Sequence, residues 1–119
     1  MKKTTEDYLK TIRLLQMKNG NVRSVDLSEA FRVSRPTVSN IVKRLAAEGF
    51  ISIDNKYRIK LTENGLSVAE DMIERNRIIR DLLIRLGVDP STAEADACRM
   101  EHAVSSQTLT ALKQFTAEY

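Results

Sequence analysis

Between Phe50 and Thr62 the hydrophobic period of this chain changes from that of a helix to two, and beyond Thr62 it changes back. Ile51 and Ile53 alternate with polar residues, Asp54-Asn55-Lys56 makes a turn, and Tyr57, Ile59 and Leu61 alternate again. Alternate residues of a strand share one face, so the stretch predicts a β-hairpin with one buried side. An isolated hairpin is marginal in water and must lie against other elements. The flanking sequence supplies only helices.

Thr4 or Thr5 is placed to cap a first helix running to about Met17, with Tyr8, Ile12 and Leu15 on one face and Asn19-Gly20-Asn21 ending it. Ser24 caps a short helix through Phe31, Arg32-Val33 makes a tight connection, and Ser34 caps a longer helix that carries Val38, Ile41 and Leu45 until Gly49. After Thr62 a long helix bears Leu66, Ala69, Ile73, Ile79, Leu82, Leu83 and Leu86, and Gly87 closes it. Asp89-Pro90 opens another helix through about Ala103, with Met72 and Met100 as core filling, and Ser105 caps a last helix with Leu109, Leu112 and Phe115 on one side. The expected fold is mainly α with one small β-hairpin. A winged helix-turn-helix DNA-binding domain is expected over residues 1–61, followed by a helical domain over residues 62–119.

Charge divides along the same seam. Residues 1–61 hold 13 Lys and Arg against 6 Asp and Glu, whereas residues 62–119 hold 6 against 10. The basic half suits a phosphate backbone, the acidic half a cation or another chain. One cysteine permits no intramolecular disulfide, and no apolar run reaches the length that crosses a bilayer. A cytoplasmic protein without a membrane partner or a small organic substrate is expected.

In the second helix of the pair, Ser34, Arg35, Pro36, Thr37, Ser39 and Asn40 crowd the N-terminal end, with Lys43 and Arg44 further along. Hydroxyls reach bases or phosphates, Asn40 has the paired donor and acceptor that an adenine edge offers, and Pro36 offers apolar contact, as to a thymine methyl. Lys56 and Arg58 on the hairpin are placed for phosphates. The plainer alternative makes Ser34 a cap, Pro36 a helix start and the polar face merely solvated.

The chain's only cysteine and only histidine fall in "CRMEH", residues 98–102. Cys98, Glu101 and His102 stand at i, i+3 and i+4, so thiolate, carboxylate and imidazole converge on one helix face and suit a single ion. The alternative is a small core cysteine, a surface glutamate and a satisfied imidazole. A thiol enzyme using Cys98 with His102 is a further alternative, but no orienting group or oxyanion donor accompanies the pair.

"TTEDYLKTI" at 4–12, "VSRPTVSNIVKRLAAEGFI" at 33–51, "LTENG" at 61–65 and "ACRMEH" at 97–102 together resemble the diphtheria toxin repressor and manganese transport regulator family. The resemblance covers about the whole chain, in the short form without a C-terminal barrel. It implies a metal-dependent repressor that binds palindromic double-stranded operator DNA as a homodimer and represses metal-uptake genes. It also implies Asp7 as the fourth ligand beside Cys98, Glu101 and His102. Cys98 matches the iron branch and Asp7 the manganese branch, so Fe(II) and Mn(II) rank ahead of Zn(II) and Co(II). Where relatives hold a second ion, this chain has Asn76, Arg80 and Glu94, and Lys10 replaces another ligand. A guanidinium cannot bind metal, so one ion per subunit is expected, with Arg80 lying against Glu94. These departures also leave open a metal-independent regulator with a vestigial site.

Overall fold

The structure, a computed structural model, describes residues 2–118. Its elements in order are α1 (Lys3–Asn19), α2 (Ser24–Phe31), α3 (Arg35–Ala47), β1 (Ile51–Ile53), β2 (Ile59–Leu61), α4 (Glu63–Arg85), α5 (Pro90–Met100) and α6 (Ser106–Glu118). They form two compact units, one reaching to Glu70 and the other beginning at Asp71, so the division falls inside α4.

The first unit is built on the apolar stripes of its helices. Leu9 and Ile12 of α1, Leu27 of α2, Val38 and Leu45 of α3 and Ile59 of β2 are all almost fully buried. Each large side chain so buried contributes about 1.5–3 kcal/mol before entropy is charged against it. Tyr8 and Phe31 stack with ring centroids 4.2 Å apart, which fixes α2 on α1. The hairpin is antiparallel, pairing Ile51 with Leu61 and Ile53 with Ile59. Ile59 N also donates to Val22 O at 2.7 Å, which ties the segment before α2 to β2.

Several local expectations are corrected. Neither Thr4 nor Thr5 caps α1, which starts at Lys3 with no side-chain cap, and Thr5 is buried instead. Ser24 is the first residue of α2; the cap is made by Asp26, whose carboxylate accepts from Arg23 N at 2.8 Å. Tyr57 is not in β2: it has φ 61 and is 79% exposed. Ser34 does cap α3, accepting from Thr37 N at 3.3 Å. In the turn between α2 and α3, Arg32 takes the left-handed conformation at φ 54, and Ser28 Oγ donates to Val33 O at 2.6 Å. That bond holds a non-glycine residue in a region costing roughly 1–2 kcal/mol.

"LTENG" acquires a packing reason. Thr62 Oγ1 donates to Gly49 O at 2.7 Å and accepts from Gly65 N at 3.2 Å, so one hydroxyl both caps α4 and ties it to the turn after α3. Phe50 O comes so near that a Cβ on Gly65 would lie 2.0 Å from it.

In the second unit, Met72, Ile78 and Ile79 of α4, Ala93 and Ala97 of α5 and Leu109 of α6 are buried. Met100 is 40% exposed and does not fill the core as expected. Leu86 and Phe115 stand 69% and 51% exposed. Asp89 caps α5, accepting from Ser91 N at 3.1 Å and Thr92 N at 3.4 Å. The helix ends at Met100 rather than Ala103, with residues 101–103 in a turn. Ser105 caps α6 as expected, accepting from Thr108 N at 3.1 Å.

Candidate functional site

The turn after α5 gathers the chemistry of the second unit. Glu101 is fully buried, and its Oε1 lies 3.6 Å from Nε2 of His102, whose side chain is 9% exposed. A carboxylate removed from water needs a compensating partner, and a carboxylate with an imidazole makes a donor pair suited to a divalent transition ion. Cys98, one turn back on α5, is half-buried. Its Sγ donates towards Glu94 Oε1 at 3.6 Å and accepts from Asn76 Nδ2 at 3.5 Å. The thiol therefore faces Glu94 and Asn76. As a metal ligand it would give up its proton and this contact.

Around that thiol lie the three residues expected where relatives hold a second ion. Arg80 Nη1 is 3.3 Å from Glu94 Oε2 and 3.4 Å from Asn76 Oδ1. The pairing of Arg80 with Glu94 is present, and Arg80 Nε reaches Asp81 at 3.7 Å. A permanent cation thus stands among Asn76, Glu94 and the Cys98 thiol.

One contributor was missed from sequence. Arg75, 8% exposed, donates through Nε to Asp71 Oδ2 at 2.9 Å, and through Nη1 to Glu101 O at 3.3 Å and to Val104 O. Its Nη2 reaches Ser106 Oγ at 3.5 Å. The guanidinium fork satisfies carbonyls released where α5 ends, and so fixes the turn that carries Glu101 and His102. A buried arginine reads in sequence as one more charge on an amphipathic helix, and nothing in its spacing distinguishes it.

In the first unit, Asp7 lies half-buried on α1. It borders a cleft of about 240 Å³ lined also by Tyr8, Phe31, Val33, Thr37 and Ile41. Asp7 and Thr37, at the first turn of α3, therefore share one cleft. Lys10 is half-buried on the same helix.

Along α3, Ser34, Arg35, Pro36, Thr37, Asn40 and Lys43 are exposed and Ser39 is half-buried. Val38, Val42 and Leu45 on the opposite side are buried. This leaves one polar, basic face outward. Arg44 is less available: Nη2 donates to Thr5 Oγ1 at 3.4 Å and Nε lies 3.3 Å from Glu48. On the hairpin, Lys56 is exposed, whereas Arg58 is drawn onto Asp54, with Nε 2.7 Å from Oδ2. Asp54 also accepts from Lys56 N and Arg58 N, both at 2.9 Å. The Arg58 backbone hydrogen bond, followed by its side-chain bond and the Lys56 amide, outweighs partial desolvation and lowers the Asp54 pKa to about 2.

Both halves match models of known families. Residues 1–58 match the N-terminal DNA binding domain of iron dependent repressors, and residues 62–118 match the metal binding and dimerisation domain. The chain belongs to the iron dependent repressor family. It is a DNA-binding transcriptional regulator of this metal-dependent family, whose members are repressors and not enzymes. The chain is 40% identical over 114 residues to the transcriptional regulator MntR of Salmonella typhimurium, covering 96% of this chain and 73% of that protein. It is 32% identical over 103 residues to the iron-dependent repressor IdeR of Mycobacterium tuberculosis, covering 86% of this chain and 45% of that one. The structure of the manganese regulator SloR superimposes with a TM-score of 0.83 at 29% identity, over 95% of this chain and 53% of that chain. This repressor-family chain thus spans about half the length of that solved protein. Among the described residues no helix is long and apolar enough to cross a membrane.

Proposed function

We propose that this chain is a cytoplasmic repressor that binds palindromic operator DNA as a homodimer and is switched by one divalent transition ion per subunit. Its reading head is residues 1–61 and its sensing and dimerising part residues 62–119. The observation that carries the metal reading is the buried Glu101 beside His102, one helical turn from the Cys98 thiol. Asp7, Cys98, Glu101 and His102 would hold the ion. Fe(II) and Mn(II) suit a set that mixes thiolate and imidazole with two carboxylates, ahead of Zn(II) and Co(II). The relatives named as an iron-dependent repressor and a manganese regulator support those two metals.

When bound, the ion would supply positive charge that holds three anionic donors and an imidazole together. The chain's own residues do the rest. Arg75 fixes the turn of Glu101 and His102, Asp7 sits on the helix whose cleft includes Thr37, and the exposed face of α3 reads DNA. Ser34, Arg35, Thr37, Ser39 and Asn40 would meet bases or nearby phosphates, Pro36 a thymine methyl, and Lys43, Arg44, Lys56 and Arg58 phosphates. Exposed Ile84, Leu86 and Phe115 support a second copy as partner. Uptake genes for the same metal are the proposed targets.

A second reading, regulation without metal, draws support from the Cys98 thiol's contacts with Glu94 and Asn76 and from the Arg80 cation beside them. Anaerobic titration of operator binding with Mn(II), Fe(II), Zn(II) and then chelator separates the two. Metal-dependent binding that His102→Ala and Asp7→Ala each weaken supports the sensor, whereas binding indifferent to chelator sinks it.

A further inference from the structure

The tip of the hairpin is built in a way its sequence does not favour. Asp54 N donates to Arg58 O and Tyr57 N donates to Asp54 O, both at 3.0 Å, so residues 54–57 form a tight turn closing a bulged hairpin. The last position of such a turn takes the left-handed conformation, where glycine or asparagine costs least. Here it holds a tyrosine at φ 61, with its side chain 79% exposed. Three bonds to the Asp54 carboxylate, from Lys56 N, Arg58 N and Arg58 Nε, lock the tip in place. A bulky residue kept in a disfavoured conformation, where it packs on little, points to a task outside the fold.

The surroundings identify the task. Tyr57 borders a groove of about 340 Å³ between α3 and the hairpin, lined also by Ser39, Lys43, Val42, Ile53 and Ile59. Ile53 is 44% exposed, Lys43 lines the groove from α3, and Lys56 is exposed at the hairpin tip next to Tyr57. An apolar floor with the Lys43 ammonium in its wall complements a sugar–phosphate strand, whose deoxyribose is apolar and whose phosphates are anionic.

We infer that Tyr57 is a DNA-contacting residue, its ring laid on the sugar–phosphate backbone that runs along the groove between α3 and the hairpin. This rests on the DNA-reading function proposed above and adds a residue that neither the helix face nor the charge pattern indicates. The bond of Arg58 Nε to Asp54 also steadies the turn that presents the ring. Because the contact is to backbone, it adds affinity without sequence preference.

Tyr57→Gly tests this, since glycine removes the ring and relieves the backbone at once. Binding of the Mn(II)-loaded chain to a fluorescein-labelled random-sequence duplex at low salt is compared with thermal melting. The variant is expected to melt at or above the wild-type temperature and to bind the duplex at least fivefold more weakly. Equal duplex affinity would overturn the inference, as would a lowered melting temperature, which marks the ring as structural. Lys43→Ala runs alongside. If it weakens binding and Tyr57→Gly does not, the inference alone fails; if the wild type binds no duplex, the DNA-reading function fails with it.

Discussion

Replacing Arg75 with alanine should be among the most damaging single changes outside the hydrophobic core. The ion pair with Asp71 accounts for little of that, because the Asp71 side chain is 47% exposed and such pairs are worth about 0–1 kcal/mol. The carbonyls matter more. Glu101 O and Val104 O take their bonds from Arg75 Nη1, and an acceptor left unsatisfied away from water costs about 1–3 kcal/mol. With Glu101 fully buried and Val104 half-buried, the loss comes to roughly 2–4 kcal/mol. In a chain of this size that lowers the melting temperature by about 10 °C. The effect on metal is separate. Loosening the turn of Glu101 and His102 should weaken Mn(II) binding by about 10–100-fold, as losing the support behind a ligand generally does. Melting followed by circular dichroism in chelator measures the first effect, and titration calorimetry at a temperature where the variant is folded measures the second. Arg75→Lys keeps the charge but loses the separate Nε bond to Asp71 and the Nη2 contact with Ser106, and should fall between. An alanine variant that melts within about 2 °C of wild type and binds Mn(II) unchanged would refute the role given to this guanidinium.

Three further outcomes are expected. Gly65→Ala should destabilise the chain by about 3 kcal/mol or more, because its Cβ would meet Phe50 O at 2.0 Å and backbone must move; denaturant unfolding that matches wild type contradicts this. The depressed pKa of Asp54 means that its contribution to hairpin order is fully present above the ordinary carboxylate value and is lost as pH falls through about 2. Amide exchange at Tyr57 and Arg58, corrected for its intrinsic pH dependence, should therefore report constant protection from neutral pH down to about 5 and faster opening below about 4. Asp54→Asn should open the tip at every pH. Asn40→Ala should relax sequence preference more than overall affinity, whereas Lys43→Ala should weaken binding to all duplexes and flatten its salt dependence; identical behaviour on specific and random DNA counts against that division.

How far the sequence could be read depended on the range of the physics involved. The period of two around Ile51 and Ile59 announces the hairpin because alternation is a local pattern, and Ser34 and Asp89 announce helix starts because a cap acts within three residues. Ser24 misled because Asp26, two residues on, caps the same helix by accepting from Arg23 N. Tyr57 misled because alternation continues through a residue whose backbone has already turned over. Arg75 was invisible for a different reason: its partners at Glu101, Val104 and Ser106 are 26 to 31 residues away. Of the candidate site, the donors of "CRMEH" were legible as ligand types at helical spacing. The direction of the Cys98 thiol was not, since it depends on Asn76 and Glu94 reaching it from α4 and from the preceding turn of α5.

Arg80 bears on how many ions the chain can hold. Its guanidinium lies 3.3 Å from Glu94 and 3.4 Å from Asn76, so the charge a second ion would supply is already there and cannot be removed at any physiological pH. An added divalent ion would face a like charge a few ångströms away, a repulsion on the order of several kcal/mol at intermediate dielectric and less to the extent that Arg80 is solvated. The donors are also poor, since Asn76 offers only a neutral amide and Glu94 is engaged. Reversing both terms should reverse the count. Asn76→His with Arg80→Glu turns an amide and a cation into an imidazole and a carboxylate one turn apart, beside Glu94. Calorimetry with Mn(II) should then give two ions per chain where the wild type gives one, while Arg80→Ala alone, which removes the repulsion without adding a ligand, should still give one. Two strong sites in the wild type would show that the Arg80 cation does not set the stoichiometry. A double variant still limited to one would show that the cation is not the chief obstacle.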